Sequence, residues 1–361
     1  MKFVLDAEQR LFGETVDKVL AQAAVPGVIR AWAGGDPGPG LALWRSLAGA
    51  GVFAVAVPER AGGAGVLPVE LVTAFHELGR HGVPGPCAET VAAAVLLDRL
   101  APDSPWPAGI ADGTVIATLA PPPTLDSPTS PYPPDAGTPT PLDSLNAGTL
   151  TPPDSRTAAR TPPYALDADV AAPVLMVAGA QLRAAVPGRV LASLDPARRL
   201  FPVTPGDVLA AGPEVVAAAG EARDLGTLVC AAQLTGLGRR LLEVSVEYVR
   251  TRRQFGRPIG EFQAVRHQLA NALVELEYAR PLVYGAALAH GTPDFAREVS
   301  AAKVMASEAA YRTARIALQV HGAIGYTDEY DLSLLIRKAR ALRAAWGSPT
   351  EHRARLMSSL S

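Results

Sequence analysis

Cysteine is nearly absent from this 361-residue chain: Cys87 and Cys230 stand far apart and in no CxxC spacing. That excludes a disulfide framework and a cysteine-based zinc site, and it points to a reducing, intracellular compartment. The 6 histidines fall in no metal-ligand pattern, so no metal is expected. Charge of either sign is also lacking in excess. A net charge of −2 and a pI near 6.3 supply no electrostatic case for nucleic acid or an anionic membrane surface. No apolar run approaches the roughly 18 residues of a spanning helix. The N-terminus has no apolar core of signal-peptide length and is charged again at Asp6. A cytoplasmic protein is the expectation.

What is present is organised by periodicity. Asp6 and Gln9 read as a capping box that starts a helix, with Phe12, Val16, Val19 and Leu20 on one face. A second helix is expected from about Leu41 to Ala48. The apolar run Val52–Val57 reads as a short strand stopped by Pro58, and Gly62, Gly63 and Gly65 as a loop. Helical spacing then returns from Val69 to Gly79. The chain to about residue 110 is therefore mainly helical. The middle, 111–213, reads as a reduced β domain: Val115–Leu119 and Val174–Val177 as buried strands, Leu182–Val190 and Arg199–Val203 as shorter ones. Within it, residues 121–163 hold 13 of the 33 prolines, a composition that predicts a disordered or polyproline-like excursion.

From 214 to 361 the pattern is strongly helical. Leu225, Leu228, Val229 and Ala232 open a helix that continues to Val249. Val265, Leu269, Leu273, Leu276, Ala279 and Val283 advance by three or four residues as one apolar stripe. Thr292-Pro293 reads as the start of a third helix that ends at Gly322, and a fourth covers Leu332 to about Leu342. Four helices with short connections predict an antiparallel bundle.

Two segments of that bundle carry the chemistry: Tyr248-Val-Arg-Thr-Arg-Arg-Gln-Phe-Gly-Arg-Pro-Ile-Gly-Glu-Phe-Gln263 and Gln319-Val-His-Gly-Ala-Ile-Gly-Tyr326. They resemble the two signatures of the acyl-CoA dehydrogenase family, and Leu47–Gly65 resembles that family's N-terminal helical domain. The resemblance implies a fold that is mainly α with a small β domain: N-terminal helical domain, central β domain, C-terminal four-helix bundle. It also implies FAD as cofactor, an acyl-CoA thioester as substrate and electron-transfer flavoprotein as acceptor. By the same resemblance Arg252 contacts the FAD diphosphate, Gln254 and Phe255 make further dinucleotide-side contacts, and Gln319 reaches the dinucleotide across a subunit interface. Gly322 and Ala323 match a pair of glycines that let backbone approach the cofactor. The methyl of Ala323 is harmless or harmful according to whether that backbone needs a positive φ. His321 reads as a packing or interface residue rather than a base or ligand.

The family's α-proton abstraction needs an ionised carboxylate within hydrogen-bond reach. The usual glutamate position here is Trp346, in Ala345-Trp-Gly-Ser348, and the alternative position on an earlier helix is Gly226. Asp224 and Glu221 lie nearby, but a shift of two residues turns a side chain about 200° around a helix. The family's Thr-Glu-Pro flavin-ring segment is matched by Thr118-Leu-Ala-Pro-Pro-Pro123. Dinucleotide contacts kept and a base lost together imply an accessory subunit that works beside a second dehydrogenase subunit. A self-sufficient homotetramer with a relocated base and a non-redox structural or regulatory partner are the rival expectations.

Overall fold

The structure is a computed structural model that describes residues 4–120 and 163–359. The expected proline-rich excursion lies outside the described residues but for Pro163. Helix α1 (Ala7–Gln22) begins as its sequence demands: Asp6 accepts from the Gln9 amide at 2.8 Å, and the Gln9 side chain returns the bond at 3.1 Å. Val16 and Leu20 face inward and are fully buried. Helices α2 (Val25–Ala33), α3 (Gly38–Gly49), α4 (Pro68–His81), α5 (Cys87–Leu100) and α6 (Trp106–Asp112) complete the N-terminal part. The run Val52–Val57 is a correction. Val52 and Phe53 are buried in turns, and only Ala56–Val57 (β1) pairs, antiparallel, with Gly65–Val66 (β2). Burial alone explains the apolar run; Pro58 leaves too little chain for a longer ladder.

A five-stranded sheet follows, ordered β3 (Thr118–Ala120), β5 (Val174–Ala178), β6 (Gln181–Pro187), β7 (Leu200–Ala211) and β4 (Tyr164–Leu166). The β3–β5 pair is parallel and the others are antiparallel. Strand β7 is far longer than the expected Arg199–Val203, because its polar outer residues hide the alternation. Buried polar bonds tie sheet to helices. Asp167 accepts from the Trp32 indole at 3.0 Å and from Arg199 at 3.2 Å. Lys338 reaches the Val83 carbonyl at 3.1 Å and Asp195 at 3.4 Å. Burial pushes the Asp167 carboxyl up to about 6 against the pull of Trp32 and Arg199.

The C-terminal part is built on α7 (Pro213–Thr251), a single 39-residue helix. It packs on α4 almost backbone to backbone: a Cβ on Gly236 would sit 1.8 Å from the His76 carbonyl, and one on Gly79 would sit 2.1 Å from that of Gln233. A small β8–β9 hairpin (Arg253–Gln254 and Arg257–Pro258) turns the chain into α8 (Gln263–Leu288). Helix α9 (Phe295–His321) starts three residues later than Thr292, since Gly291 is left-handed and Thr292 spends its hydroxyl on the Ala289 carbonyl at 2.7 Å. Helix α10 (Leu332–Ala344) was expected; α11 (Pro349–Ser358), opened by a Ser348–Glu351 capping box, was not.

Candidate functional site

The sequence-selected residues fall into two places of opposite character. Arg252 is the C-cap of α7 and is exposed; its guanidinium has no hydrogen-bond or ion-pair partner among the described residues. Gln254 and Phe255 follow on the hairpin, where Phe255 takes φ +52° and is 92% exposed. Because α8 runs back, the C-terminus of α9 returns to the same end. There Gln319, Gly322 and Ala323 line a groove of about 720 Å³ together with Arg312, Arg315 and Tyr326. Arg252, Gln254 and Phe255 do not line that groove. The two groups are joined through stacked rings, Tyr248 on His321 at 4.1 Å, and His321 is a packing residue whose Nδ1 binds the Ala317 carbonyl at 2.8 Å.

This end suits a dinucleotide diphosphate. Gly322 has φ +63° with open space where a Cβ would stand, so backbone is bare at the groove. Ala323 sits in a 3-10 turn without a positive φ, so its methyl introduces no strain. Arg315, like Arg252, is exposed and without an ion-pair partner among the described residues. Unspent guanidinium forks are what phosphate oxygens bind best.

The other place is filled. Trp346 is 6% exposed, with φ +59°, between α10 and α11. Its ring lies flat against α7: a Cβ on Gly226 would meet three ring atoms at 2.5–2.7 Å. The two positions that the sequence resemblance matches to the family's base therefore touch each other, and the indole needs the glycine. His352 Nε2 donates to the Trp346 carbonyl at 2.9 Å, while Thr227 spends its hydroxyl proton on the Arg223 carbonyl at 2.7 Å. Burial, first of all, holds His352 down to about 4. Lys303, fully buried on α9, donates to Ser307 at 3.0 Å and to the Leu342 and Arg343 carbonyls at 3.1 Å each, closing the end of α10. Burial pushes its ammonium pKa down.

Neither neighbouring carboxylate is free. Both Asp224 oxygens accept from Arg355, and Glu221 pairs with Arg99 at 2.9 Å. Thr118 spends its hydroxyl on the Leu166 carbonyl at 2.8 Å. One carboxylate escaped the sequence reading: Glu89, in the first turn of α5 and 4% exposed. Burial pushes its carboxyl up, opposed by Arg198 at 3.9 Å and by the α5 backbone. The Trp346 indole N–H also favours its charged form, without forming a bond of ordinary geometry. The available signal was a lone charge inside the otherwise apolar run that opens with Cys87-Ala-Glu-Thr-Val-Ala. Both cysteines are free and buried, and burial pushes the Cys87 thiol up to about 12. Among the described residues, Asp17, Glu77 and His81 come near metal spacing, but Arg80 already supplies the positive charge, 3.1 Å from Glu77 and 3.7 Å from Asp17.

Comparison with known proteins matches both helical parts of the chain to one family. The acyl-CoA dehydrogenase N-terminal domain matches residues 6–101, and the acyl-CoA dehydrogenase C-terminal domain matches residues 217–360. Over 355 residues the chain is 31% identical to acyl-CoA dehydrogenase IpdE2 of Mycobacterium tuberculosis, covering 97% of this chain and 96% of that protein. Among solved structures, the Tcur3481-Tcur3483 steroid ACAD superimposes with a TM-score of 0.77 at 25% identity, over 98% of this chain and 97% of the other. The ChsE4-ChsE5 complex of Mycobacterium tuberculosis gives 0.77 at 24% identity, over 100% and 99%.

Proposed function

Since the chain belongs to the acyl-CoA dehydrogenase family, whose members are oxidoreductases acting on CH–CH bonds, we propose that it is the accessory subunit of a hetero-oligomeric FAD-dependent member. One observation carries this reading: the Trp346 ring packed on Gly226, which fills with apolar surface both places where the family keeps its base. An indole accepts no proton, so the α-proton of an acyl-CoA thioester finds no base there. FAD, when bound, accepts the hydride that leaves the β-carbon. The contribution of this chain is binding and orientation. Arg252, Gln254, Phe255, Gln319, Gly322 and Ala323 offer donors and bare backbone to the diphosphate side of a cofactor whose ring a second dehydrogenase subunit holds. The names Tcur3481-Tcur3483 and ChsE4-ChsE5, each of two components, support a paired assembly, and the first supports a steroid-type substrate. Electron-transfer flavoprotein as acceptor and cytoplasmic location follow from the same reading; no helix among the described residues is long and apolar enough to cross a membrane. The division into three parts at about residues 110 and 213 belongs to the proposal as well.

Purification of the chain alone and together with its partner tests this. Colourless, inactive protein that gains flavin and turnover on mixing supports the accessory role; robust turnover by the single chain overturns it. A second reading has one residue in its favour. Glu89, a buried carboxyl raised by desolvation and influenced by Trp346, is the carboxylate a self-sufficient enzyme would use once the indole swung aside. Under that reading, Glu89→Gln abolishes the single chain's turnover and leaves its flavin content intact.

A further inference from the structure

A cavity of about 510 Å³ between α1, α4, α7 and α8 shares no lining residue with the Gln319 groove. Its walls are charged, but most of that charge is spent. Arg80 bridges Glu77 and Glu243, both at 3.1 Å, and Arg239 reaches Glu243 at 3.0 Å and Glu277 at 3.4 Å. Arg280 and Glu14 are left over, and Arg10 binds only the Leu5 carbonyl at 2.7 Å. Apart from lying 5.7 Å from the centre of the Tyr284 ring, Arg280 has no partner among the described residues.

The floor is set by the close contact of α4 and α7, which places His76 against Thr235. A hydroxyl has one proton, and that of Thr235 goes to the Ala232 carbonyl at 2.8 Å. Thr235 Oγ1 can then only accept from His76 Nδ1, 3.2 Å away. The ring proton therefore sits on Nδ1, and Nε2 is a bare acceptor with no partner among the described residues. Burial first, then the charges of Arg280 and Arg80, hold His76 down to about 4, so the ring stays neutral at neutral pH. Thr73 likewise spends its proton on Val69, which leaves the Tyr284 hydroxyl loosely engaged at 3.5 Å and able to donate elsewhere.

We propose that this cavity binds a small oxyanion that still carries an O–H, with Arg280 and Tyr284 holding its charged oxygens and His76 Nε2 accepting its proton. An anion without that proton sets a lone pair against Nε2 and loses the bond. Hydrogen phosphate and a hydroxycarboxylate share the required chemistry, and matched probes separate them. Titration calorimetry of the full chain at pH 7 compares inorganic phosphate with sulfate, and glycolate with acetate. A preference of roughly tenfold or more within a pair is expected, the effect of leaving one buried acceptor unmatched. Preference for phosphate assigns hydrogen phosphate; preference for glycolate assigns a hydroxycarboxylate. Arg280→Gln, at an exposed residue, weakens the preferred probe by roughly tenfold while the unfolding temperature holds. His76→Phe removes the discrimination; should it fail to fold, the anion pairs and Arg280→Gln still decide. The proposal is overturned if neither pair shows a preference, if no probe binds saturably, or if Arg280→Gln binds as the wild type does.

Discussion

One helix, α7, carries both the most finished and the least finished surface of this protein. In its first half, around Gly226, most neighbouring groups are spoken for, the Trp346 indole N–H and Arg223 Nε excepted. Trp346 covers the glycine, His352 holds the Trp346 carbonyl, Lys303 closes α10, and Arg355 takes both oxygens of Asp224. At its C-terminus, Arg252 is exposed without an ion-pair partner among the described residues and Phe255 meets only the edge of the Phe262 ring, beside a groove with bare backbone at Gly322. Under the proposed function, binding capacity is left open where cofactor and partner would arrive and closed where the family's base would stand. That contrast is what an accessory subunit requires, and each half of it can be attacked separately.

The largest effect is expected from the filled half. Trp346→Ala removes a buried indole and leaves a cavity over Gly226, so it should cost about 3–5 kcal/mol in urea unfolding. A cost below about 1 kcal/mol would show that the ring is not part of the core. Acid should act next, on this region through His352 and on the α4–α7 contact through His76. His76 and His352 are each held near pKa 4 in the fold against 6.5 in the unfolded chain. Below 6.5 the unfolded state binds more protons, so stability is present at neutral pH and lost as pH falls from about 6.5 to 4. Each imidazole accounts for roughly 3 kcal/mol of that loss, at about 1.36 kcal/mol per unit. Asp167, raised to about 6, acts in the opposite sense over nearly the same window, since its folded form binds the extra proton. The net loss should therefore approach that of a single histidine, and replacing His352 by Gln should flatten the pH dependence of the unfolding free energy.

At the open end, Arg252→Ala should leave thermal unfolding unchanged, because its exposed guanidinium makes no hydrogen bond or ion pair among the described residues. In the assembled complex it should weaken flavin retention by roughly ten- to a hundredfold, the value of one charge-assisted contact of about 1.5–3 kcal/mol. Lysine should rescue only partly, since it keeps the charge without the fork. Unchanged flavin occupancy on dilution would remove Arg252 from the cofactor site. The smallest effect sharpens the comparison most. Gly226→Ala forces a methyl within 2.5 Å of the Trp346 ring and should cost about 1–3 kcal/mol. In a Trp346→Ala background the cost should vanish. Equal costs in both backgrounds would mean that the glycine serves something other than the indole.

Much of this was legible in the sequence because it is local or periodic. The Asp6–Gln9 cap, the apolar stripe of α8 and the Gly322 stop each depend on residues within a turn or two of one another, where propensity and spacing act directly. Helix α11 was missed because its short, polar sequence has little apolar periodicity, and β7 was cut short because its outer face is mostly exposed. The Val52–Val57 run shows the limit from the other side: apolar residues announce burial without saying whether turns or strands will deliver it.

The sequence by itself determined the helical stripes, the family signatures at Tyr248–Gln263 and Gln319–Tyr326, and the absence of a carboxylate at 346 and 226. Only the tertiary structure decided that those two positions touch, that Glu89 and Lys303 are buried near them, and that His76 presents a bare nitrogen to a cavity beside an unpaired Arg280. Each of these rests on contacts between residues far apart in the chain, such as Gly226 with Trp346 or Gly236 with His76. The reason is steric and electrostatic: which atom a side chain meets, and whether its protons are already spent, is fixed by neighbours that packing supplies and spacing does not encode.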